Sequence, residues 1–258
     1  MMQIHAVPAF QDNYLWVLEN GRQAAVVDPG DAAPVQAFLD SQGLTLSAIL
    51  ATHHHGDHVG GLATLATRWK CPVFGPAGED IAGLSVRLRE GDRITVPGLG
   101  VEYSVLDVPG HTAGHIAYVG TDEVFCGDTL FACGCGRLFE GTPAQMVDSL
   151  SKLARLAPRM RVYCAHEYTM SNIRFALAVE PGNAKLSARK ARDEALRSQD
   201  LPTVPSTIGD EIETNPFLRW DSAEVIDSAR RHSGKPLAGA VEVFAELRAW
   251  KNGFREPP

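Results

Sequence analysis

The run Thr52-His53-His54-His55-Gly56-Asp57-His58 holds four of the nine histidines of the chain. An apolar segment at residues 47–51 precedes this run, and a helical pattern begins after it at Gly61. Short apolar segments bounded by turn residues are typical of buried strands, and glycines mark the turn that follows. The run therefore lies where a strand passes through a loop into a helix.

The spacing of this run is typical of metal ligands. In an extended chain, His53 and His55 point to one side and His54 points to the other. Asp57 and His58 then begin a second set of donors. Neutral imidazoles suit zinc, iron and similar cations, and an added carboxylate is typical of catalytic sites that keep an open coordination position. The alternative is a solvated polar loop, which would not require this density of histidine.

Composition and charge limit the class of protein. The chain has 258 residues, of which 45% are hydrophobic and 21% are charged, as in an ordinary soluble globular protein. Its formal charge is −7, and the acidic excess lies in residues 1–170. Binding to nucleic acid would require a basic stripe, so we expect no such partner. Because we find neither a secretory leader nor about eighteen consecutive apolar residues, we expect a cytosolic protein with no membrane partner.

The cysteines are expected to be free thiols, because their number is odd and the chain is too long to need disulfides. The five are Cys71, Cys126, Cys133, Cys135 and Cys164. Cys133-Gly134-Cys135 could be half of a zinc knuckle, but no second pair follows at the spacing of a zinc finger. We interpret this segment as small residues in a tight turn.

The pattern of apolar residues divides the chain near residue 170. Strands are predicted at residues 14–19, 24–28, 47–51 and 101–106, and helices at residues 34–41, 61–70 and 144–156. Four further helices and no strand are predicted beyond the division, at residues 171–179, 183–199, 222–232 and 235–251. Residues 201–215 read as a long loop because of their prolines. An α/β sandwich followed by a helical segment is the expected architecture.

Three further motifs each follow a β-like segment. They are Pro109-Gly110-His111, Cys126-Gly127-Asp128 and Cys164-Ala165-His166. Alone, each polar residue would more often be a surface or packing residue than a ligand. Together with the histidine-rich run, however, their order resembles the metallo-β-lactamase superfamily. This resemblance implies an αββα sandwich in residues 1–170, followed by a small all-helical domain in residues 171–258.

The resemblance also implies a centre with two divalent metal ions. One ion would be held by His53, His55 and His111, and the other by Asp57, His58 and His166. Asp128 would bridge the two, so that Asp57 and Asp128 are also the expected catalytic residues. His54 and His115 match the motifs without being ligands, and we expect them to support the ligands. Zinc is the expected metal, with iron or manganese as alternatives for this donor set.

Four segments narrow the resemblance to the glyoxalase II (hydroxyacylglutathione hydrolase) family over nearly the full length. They are residues 8–14, residues 133–142, His166-Glu167-Tyr168-Thr169 and Thr214-Asn215-Pro216-Phe217. In that family the helical domain binds the glutathione half of the substrate. The glutathione site implied here comprises Arg137, Phe139, Tyr168, Arg248 and Lys251, with Arg137 and Phe139 replacing the Lys and Tyr that are common in the family.

The implied reaction is hydrolysis of an S-(2-hydroxyacyl)glutathione, such as S-D-lactoylglutathione, to glutathione and D-lactate. A hydroxide held between the metals would attack the thioester, as in the second step of methylglyoxal detoxification. A thiolate leaves readily, so no dedicated acid is required. Arg248 and Lys251 are three residues apart and share a helix face, which suits a carboxylate of glutathione, although an ordinary solvated face has the same periodicity.

Other functions remain compatible with the sequence. A glutathione persulfide dioxygenase has this fold but uses one iron, and its relatives generally lack the long helical domain. A lactonase or β-lactamase would share the metal centre without the glutathione pattern. A metal-binding scaffold without activity should have lost ligands, and all seven are present. We expect a monomer, because no heptad or long apolar helix face stands out.

Overall fold

The computed structural model describes residues 2–255. Met1 and residues 256–258, which are the outer ends of the two predicted domains, lie outside the described residues. Within residues 2–255, two six-stranded sheets pack face to face, and helices cover them. This is the expected αββα sandwich. No helix in the described range is long and apolar enough to cross a membrane.

The first sheet contains the N-terminal strands in chain order. They are β1 (Gln3–Ala9), β2 (Asn13–Glu19), β3 (Gln23–Val27), β4 (Thr45–Leu50), β5 (Val73–Pro76) and β6 (Val86–Leu88). Strands β1, β2 and β3 are antiparallel, whereas β3, β4, β5 and β6 are parallel. Parallel neighbours need a crossover, and helices after β3 and β4 provide two of these connections.

The second sheet has the spatial order β14-β13-β10-β9-β8-β7. Its strands are β7 (Arg93–Thr95), β8 (Glu102–Asp107), β9 (Ile116–Val119), β10 (Glu123–Gly127), β13 (Arg161–Cys164) and β14 (Ser206–Thr207). A separate hairpin is formed by β11 (Leu130–Phe131) and β12 (Gly134–Cys135). Its turn contains Cys133, in agreement with the tight turn predicted there.

The helices divide into those of the sandwich and those that follow it. The first group is α1 (Ala32–Gln42), α2 (Gly56–Val59), α3 (Leu62–Trp69) and α4 (Pro143–Ala154). The second group is α5 (Thr169–Val179), α6 (Ala184–Arg197), α7 (Ile208–Thr214), a 3-10 helix (Pro216–Leu218), α8 (Ala223–Ser233) and α9 (Gly239–Gly253). Helix α4 begins at a capping box formed by Thr142 and Gln145, with Pro143 at its first position.

Alternating side chains of β2 bind the layers together. Leu15 and Val17 point into the core shared with α1 and α3, whereas Trp16 points between the two sheets. The Trp16 ring contacts Tyr163 edge-on at a centroid distance of 4.8 Å, and its Nε1 donates to the carbonyl of Cys164 at 2.9 Å. Trp16 therefore fixes the first sheet against β13, whose end carries a candidate ligand.

Two predictions for the chain beyond residue 170 are wrong. Strand β14 pairs with β13 in a segment where no strand was predicted, and α7 lies inside the predicted loop of residues 201–215. The prolines at 202 and 205 hid this helix, because it begins only after them, where the Thr207 hydroxyl accepts from the amide of Asp210. The other predicted elements are confirmed to within a few residues, and all five cysteines are free.

A buried ionic network joins the C-terminal helices to the β11–β12 hairpin. Glu211 on α7 is fully buried and accepts from the Arg189 guanidinium at 2.7 Å and from the Cys133 amide at 2.8 Å. Arg189 also donates to Thr214 at 2.7 Å, and the Asn215 amide donates to Glu211 at 3.0 Å. Each polar group has a partner, as burial of charge requires. The network thus fixes the hairpin turn to α6 and α7.

Replacing Glu211 with Ala should lower the free energy of unfolding by about 2–3 kcal/mol, because a buried guanidinium and a buried amide lose one acceptor, although Arg189 keeps its ion pair with Asp193. Urea denaturation measures this loss. Glu213→Ala on the same helix is the matched control, since Glu213 pairs with Lys185 at the surface and its loss should cost less than about 1 kcal/mol. Equal losses in the two variants would contradict a stabilising role for the network.

Candidate metal centre

The seven predicted ligands lie in segments that follow strands at one edge of the sandwich. His53 and His55 follow β4, Asp57 and His58 lie in α2, and His111 follows β8. Asp128 and His166 follow β10 and β13, which are adjacent parallel strands. Because parallel strands end at the same edge of a sheet, their following residues are brought together. The structure therefore brings all seven side chains into one cluster.

Three imidazoles form the first set. The Nδ1 atom of His55 lies 3.1 Å from Nε2 of His53 and 3.0 Å from Nε2 of His111. Burial lowers the pKa of all three rings, and that of His53 lies well below its usual value. Neutral rings are the form in which histidine binds a metal.

The far nitrogens of this set determine which ring atoms carry lone pairs. Thr52 donates its hydroxyl hydrogen to Asp28 at 2.7 Å, so its oxygen must accept from His53 Nδ1. The Nδ1 atom of His111 lies 2.8 Å from the Arg137 carbonyl and must donate to it. Both Nε2 atoms therefore present lone pairs, and the third ring can donate to only one of them. A cation between the three rings would satisfy every lone pair, so these residues fit a metal ion.

The second set contains Asp57, His58 and His166. The Oδ2 atom of Asp57 lies 3.5 Å from Nε2 of His58 and 3.4 Å from Nε2 of His166. His58 is buried, and its Nε2 atom, which faces the carboxylates of Asp57 and Asp128, forms no hydrogen bond within the described residues. A buried nitrogen without a partner is costly unless something else fills the space. This set therefore also fits a cation.

Asp128 lies between the two sets. Its Oδ1 atom is 3.3 Å from Nε2 of His58 and 3.4 Å from Nε2 of His166. Its Oδ2 atom is 3.4 Å from Nε2 of His111, which belongs to the first set. One oxygen faces each set, which is the arrangement that a bridging carboxylate requires.

The pKa values of the second set indicate how strongly its residues attract positive charge. Burial lowers the pKa of His58, but the charges of Asp128 and Asp28 raise it well above the usual value. Burial likewise opposes His166, whose hydrogen bonds to Asp128 and Asp57 raise its pKa to about 10. The hydrogen bond from His166 holds the pKa of Asp57 below its usual range. Without a metal, protons supply the charge that cations would bring.

His54 and His115 lie beside the donor cluster. The Nδ1 atom of His54 lies 2.8 Å from Glu79 and its Nε2 atom lies 3.2 Å from Glu140, so both ring nitrogens face carboxylates outside the two donor sets. The ring of His115 stacks on that of His53 at 4.5 Å, and its Nε2 accepts from the Asp128 amide at 3.1 Å. Both therefore hold ligand-bearing loops in place.

A cavity of about 590 Å³ opens above the predicted ligands. All five residues of the predicted glutathione site line it: Arg137, Phe139, Tyr168, Arg248 and Lys251. Phe139 is 63% exposed at the mouth, and Tyr168 stacks on the His166 ring at 4.7 Å. Sequence reasoning missed four further lining residues, which are Phe131, Cys135, Ser171 and Asn172.

Two cationic side chains of α9 form the end of this cavity. Arg248 donates to the carbonyl of Cys135 at 2.9 Å, and Lys251 donates to the carbonyl of Ser171 at 2.9 Å. Neither forms an ion pair with a carboxylate of residues 2–255. Burial, followed by the charge of Arg248, lowers the pKa of Lys251 to about 8. This end of the cavity is therefore suited to an anion.

Sequence reasoning also missed the partners of the ligands. Asp28 contacts His58 at 3.1 Å, and Asp12 contacts His166 at 2.8 Å. Asn13 donates to Asp57 at 3.1 Å. Asp12 and Asn13 lie in the N-terminal segment that resembles the family, so the sequence indicated that these residues matter. It did not indicate which ligand each one contacts.

Comparisons with known proteins agree with this geometry. The family model described as the metallo-beta-lactamase superfamily matches residues 10–166, and the model described as the hydroxyacylglutathione hydrolase C-terminus matches residues 167–254. A hydroxyacylglutathione hydrolase from Nitrosomonas europaea is 52% identical over 99% of this chain and 97% of its own length. One from Cupriavidus taiwanensis is 55% identical over 99% of this chain and 100% of its own length.

Solved structures show the same fold. The crystal structure of ETHE1 from Myxococcus xanthus superimposes with a TM-score of 0.67 at 24% sequence identity. It covers 100% of this chain, and this chain covers 92% of that protein. At this identity the likeness supports the fold alone.

The purified protein should contain two divalent cations per chain, because both sets of donors are complete. Replacing His166 with Ala should leave about one cation, since the second set then has only two donors besides the bridge. Metal analysis by mass spectrometry measures both values. His232→Ala on exposed helix α8 is the matched control and should retain two. A wild-type protein that holds a single cation would contradict the dinuclear centre.

Proposed function

The chain belongs to the hydroxyacylglutathione hydrolase (glyoxalase II) family, and from this membership we propose that it hydrolyses S-(2-hydroxyacyl)glutathione thioesters, with S-D-lactoylglutathione as substrate. The products are glutathione and a 2-hydroxy acid. The relatives cover nearly all of the chain, including the helical segment that lines the cavity. The chain is accordingly a thiolester hydrolase.

We propose zinc as the native metal at both cation sites. One ion would be held by His53, His55 and His111. The other would be held by Asp57, His58 and His166, and both would be held by Asp128. Imidazole and carboxylate donors also accept iron and manganese, so metal supply affects occupancy. When bound, the two ions would polarise the thioester carbonyl and supply a hydroxide nucleophile at neutral pH.

One observation carries the substrate assignment. The same cavity reaches from the donor cluster, at His55 and Asp128, to Arg248 and Lys251, two cations without a carboxylate partner among residues 2–255. A glutathione thioester matches this cavity, because its glycine carboxylate is separated along the molecule from the carbonyl that reacts. Charge-assisted hydrogen bonds to that carboxylate would hold the carbonyl over the donors.

The remaining lining residues would position the thioester. Phe139 lies at the mouth, with its ring 5.6 Å from His55 and 5.2 Å from His111, and offers an apolar surface beside the reacting carbonyl. Arg137 lines the same cavity and adds a third cation for the glutathione moiety. The leaving thiolate is a weak base, so no acid among these residues has to protonate it.

We also propose a cytosolic, monomeric enzyme. The five unpaired thiols support a reducing compartment, which is where glutathione is abundant. All of the donors and the cavity lining come from a single chain, so catalysis requires no second copy. The acidic net charge of −7 supports the absence of a nucleic-acid partner.

A hydrolysis assay on four substrates tests this function. S-D-lactoylglutathione should be turned over much faster than an acyl-homoserine lactone or a β-lactam. The lactone has no carboxylate, and the carboxylate of a β-lactam lies beside its reacting ring, whereas the glycine carboxylate of the thioester lies far enough from the reacting carbonyl to reach the α9 cations. The protein should consume no oxygen when glutathione persulfide is the substrate. Oxygen consumption with glutathione persulfide, or faster cleavage of the lactone, would replace the proposed activity with that of a dioxygenase or lactonase.

The pH dependence of kcat/KM for S-D-lactoylglutathione should reveal Lys251. This ammonium is charged below its pKa of about 8 and neutral above it, so the attraction for the substrate carboxylate is lost as pH rises through 8. Lys251→Arg retains its charge and should abolish this decline. Lys251→Ala should raise KM at pH 7 by about tenfold or more, since a charge-assisted hydrogen bond contributes about 1.5–3 kcal/mol.

The control is a short thioester without glutathione. This thioester cannot reach α9, so wild type and Lys251→Ala should hydrolyse it at equal rates. Its kcat/KM should show the same pH dependence in wild type and in Lys251→Arg. An unchanged KM for S-D-lactoylglutathione in Lys251→Ala would remove this residue from the glutathione site.

A further inference from the structure

The two cation sites differ in the groups behind their histidines. In the first set, the far nitrogens contact neutral acceptors. His53 Nδ1 lies 3.1 Å from the Thr52 hydroxyl, and His111 Nδ1 lies 2.8 Å from a backbone carbonyl. His55 uses its own Nδ1 toward the centre. No carboxylate of residues 2–255 contacts the far nitrogen of any ring in this set.

In the second set, both far nitrogens contact carboxylates. His58 Nδ1 lies 3.1 Å from Asp28, and His166 Nδ1 lies 2.8 Å from Asp12. The set also contains the carboxylate of Asp57 as a donor. Three carboxylates thus belong to this side or contact it directly, in addition to the shared bridge. Asp28 reaches the first set only through the Thr52 hydroxyl.

The position of Asp12 is fixed by the backbone. Its carbonyl accepts from the amide of Glu167 at 2.8 Å, and the next residue, Asn13, forms an isolated β-bridge with His166. The side chain of Asn13 donates to Asp57 Oδ2 at 3.1 Å. Asp12, at the end of the turn between β1 and β2, and Asn13, the first residue of β2, therefore contact two donors of the second set, and no contact to the first set is found for either within the described residues.

A carboxylate behind a ligating histidine has a direct effect on metal affinity. It accepts the far N–H, orients the ring and increases the basicity of the ligating nitrogen. A neutral acceptor orients the ring equally well but adds no negative charge. The electrostatic attraction for a dication is therefore greater in the second set, although the two sets have the same number of unshared donors.

We propose that Asp12 is a positioning residue that makes the two cation sites unequal, so that the set of His53, His55 and His111 releases its cation first. This inference rests on the dinuclear centre proposed above. Asp12 acts through His166 and through its charge, and it contacts neither the substrate cavity nor the first set.

Competition with a chelator of known affinity tests this inference on the zinc-loaded protein. Zinc per chain is measured at each chelator concentration, which yields two dissociation constants. In the wild type they should differ by at least about tenfold. In Asp12→Asn the tighter constant should weaken by about 10–100-fold while the looser one stays unchanged, because Asn keeps the accepting oxygen and removes only the charge.

Two further variants separate charge from structure. Asp12→Ala removes the acceptor as well and should weaken the tighter site at least as much as Asn does. Asp148→Asn removes the same charge from an exposed position on α4 and should move neither constant. The metal-free Asp12→Asn protein should still unfold cooperatively, with a loss of stability no greater than about 1 kcal/mol from the partly exposed contact with His166.

Each other outcome overturns the inference. Two equal dissociation constants in the wild type would overturn the inference and would leave the dinuclear centre intact. Binding of only one zinc ion per chain would overturn both this inference and the dinuclear centre. If Asp12→Asn moved the looser constant, or behaved like Asp148→Asn, Asp12 would not set the difference. Hydrolysis by the zinc-saturated wild type tests the proposed function independently of this order.

Discussion

Lone pairs that face one another across 3.0–3.1 Å constrain the rest of this structure. Neutral imidazoles whose lone pairs are in such contact repel unless positive charge lies between them, and a buried acceptor without a partner costs free energy. No single loop could hold them there by itself. The donors are therefore placed on the edges of two rigid sheets, and the side chains behind them leave their rings little freedom to turn.

The two sheets contribute differently to this arrangement. The first sheet supplies the histidine-rich run after β4 and the turn before β2, whereas the second supplies the residues after β8, β10 and β13. Contacts across the sandwich, such as the one from Trp16 to the carbonyl of Cys164, keep the two edges aligned. The C-terminal helices complete the cavity from the opposite side, and Arg248 of α9 holds the hairpin that forms its wall.

Much of this architecture could be predicted from sequence because it depends on local patterns. Alternation placed His53 and His55 on one side of the chain, and periodicity located most of the strands and helices. What could not be predicted depends on contacts between distant residues. Glu211 is an ordinary acidic residue in sequence, yet it is buried against Arg189 and Cys133. Likewise, the partnership of Asp12 with His166 spans 154 positions and has no local signature.

The short strand β14 has a consequence for how copies of this protein meet one another. It pairs with Arg161 and Val162 of β13, whose following residues are buried and apolar. An uncovered edge of this kind offers free amides and carbonyls to the strand of another molecule and promotes aggregation. By covering this edge with only two residues, the helical segment leaves little backbone for a further strand to join. The segment that lines the cavity thus also shortens the sheet edge that is open to pairing.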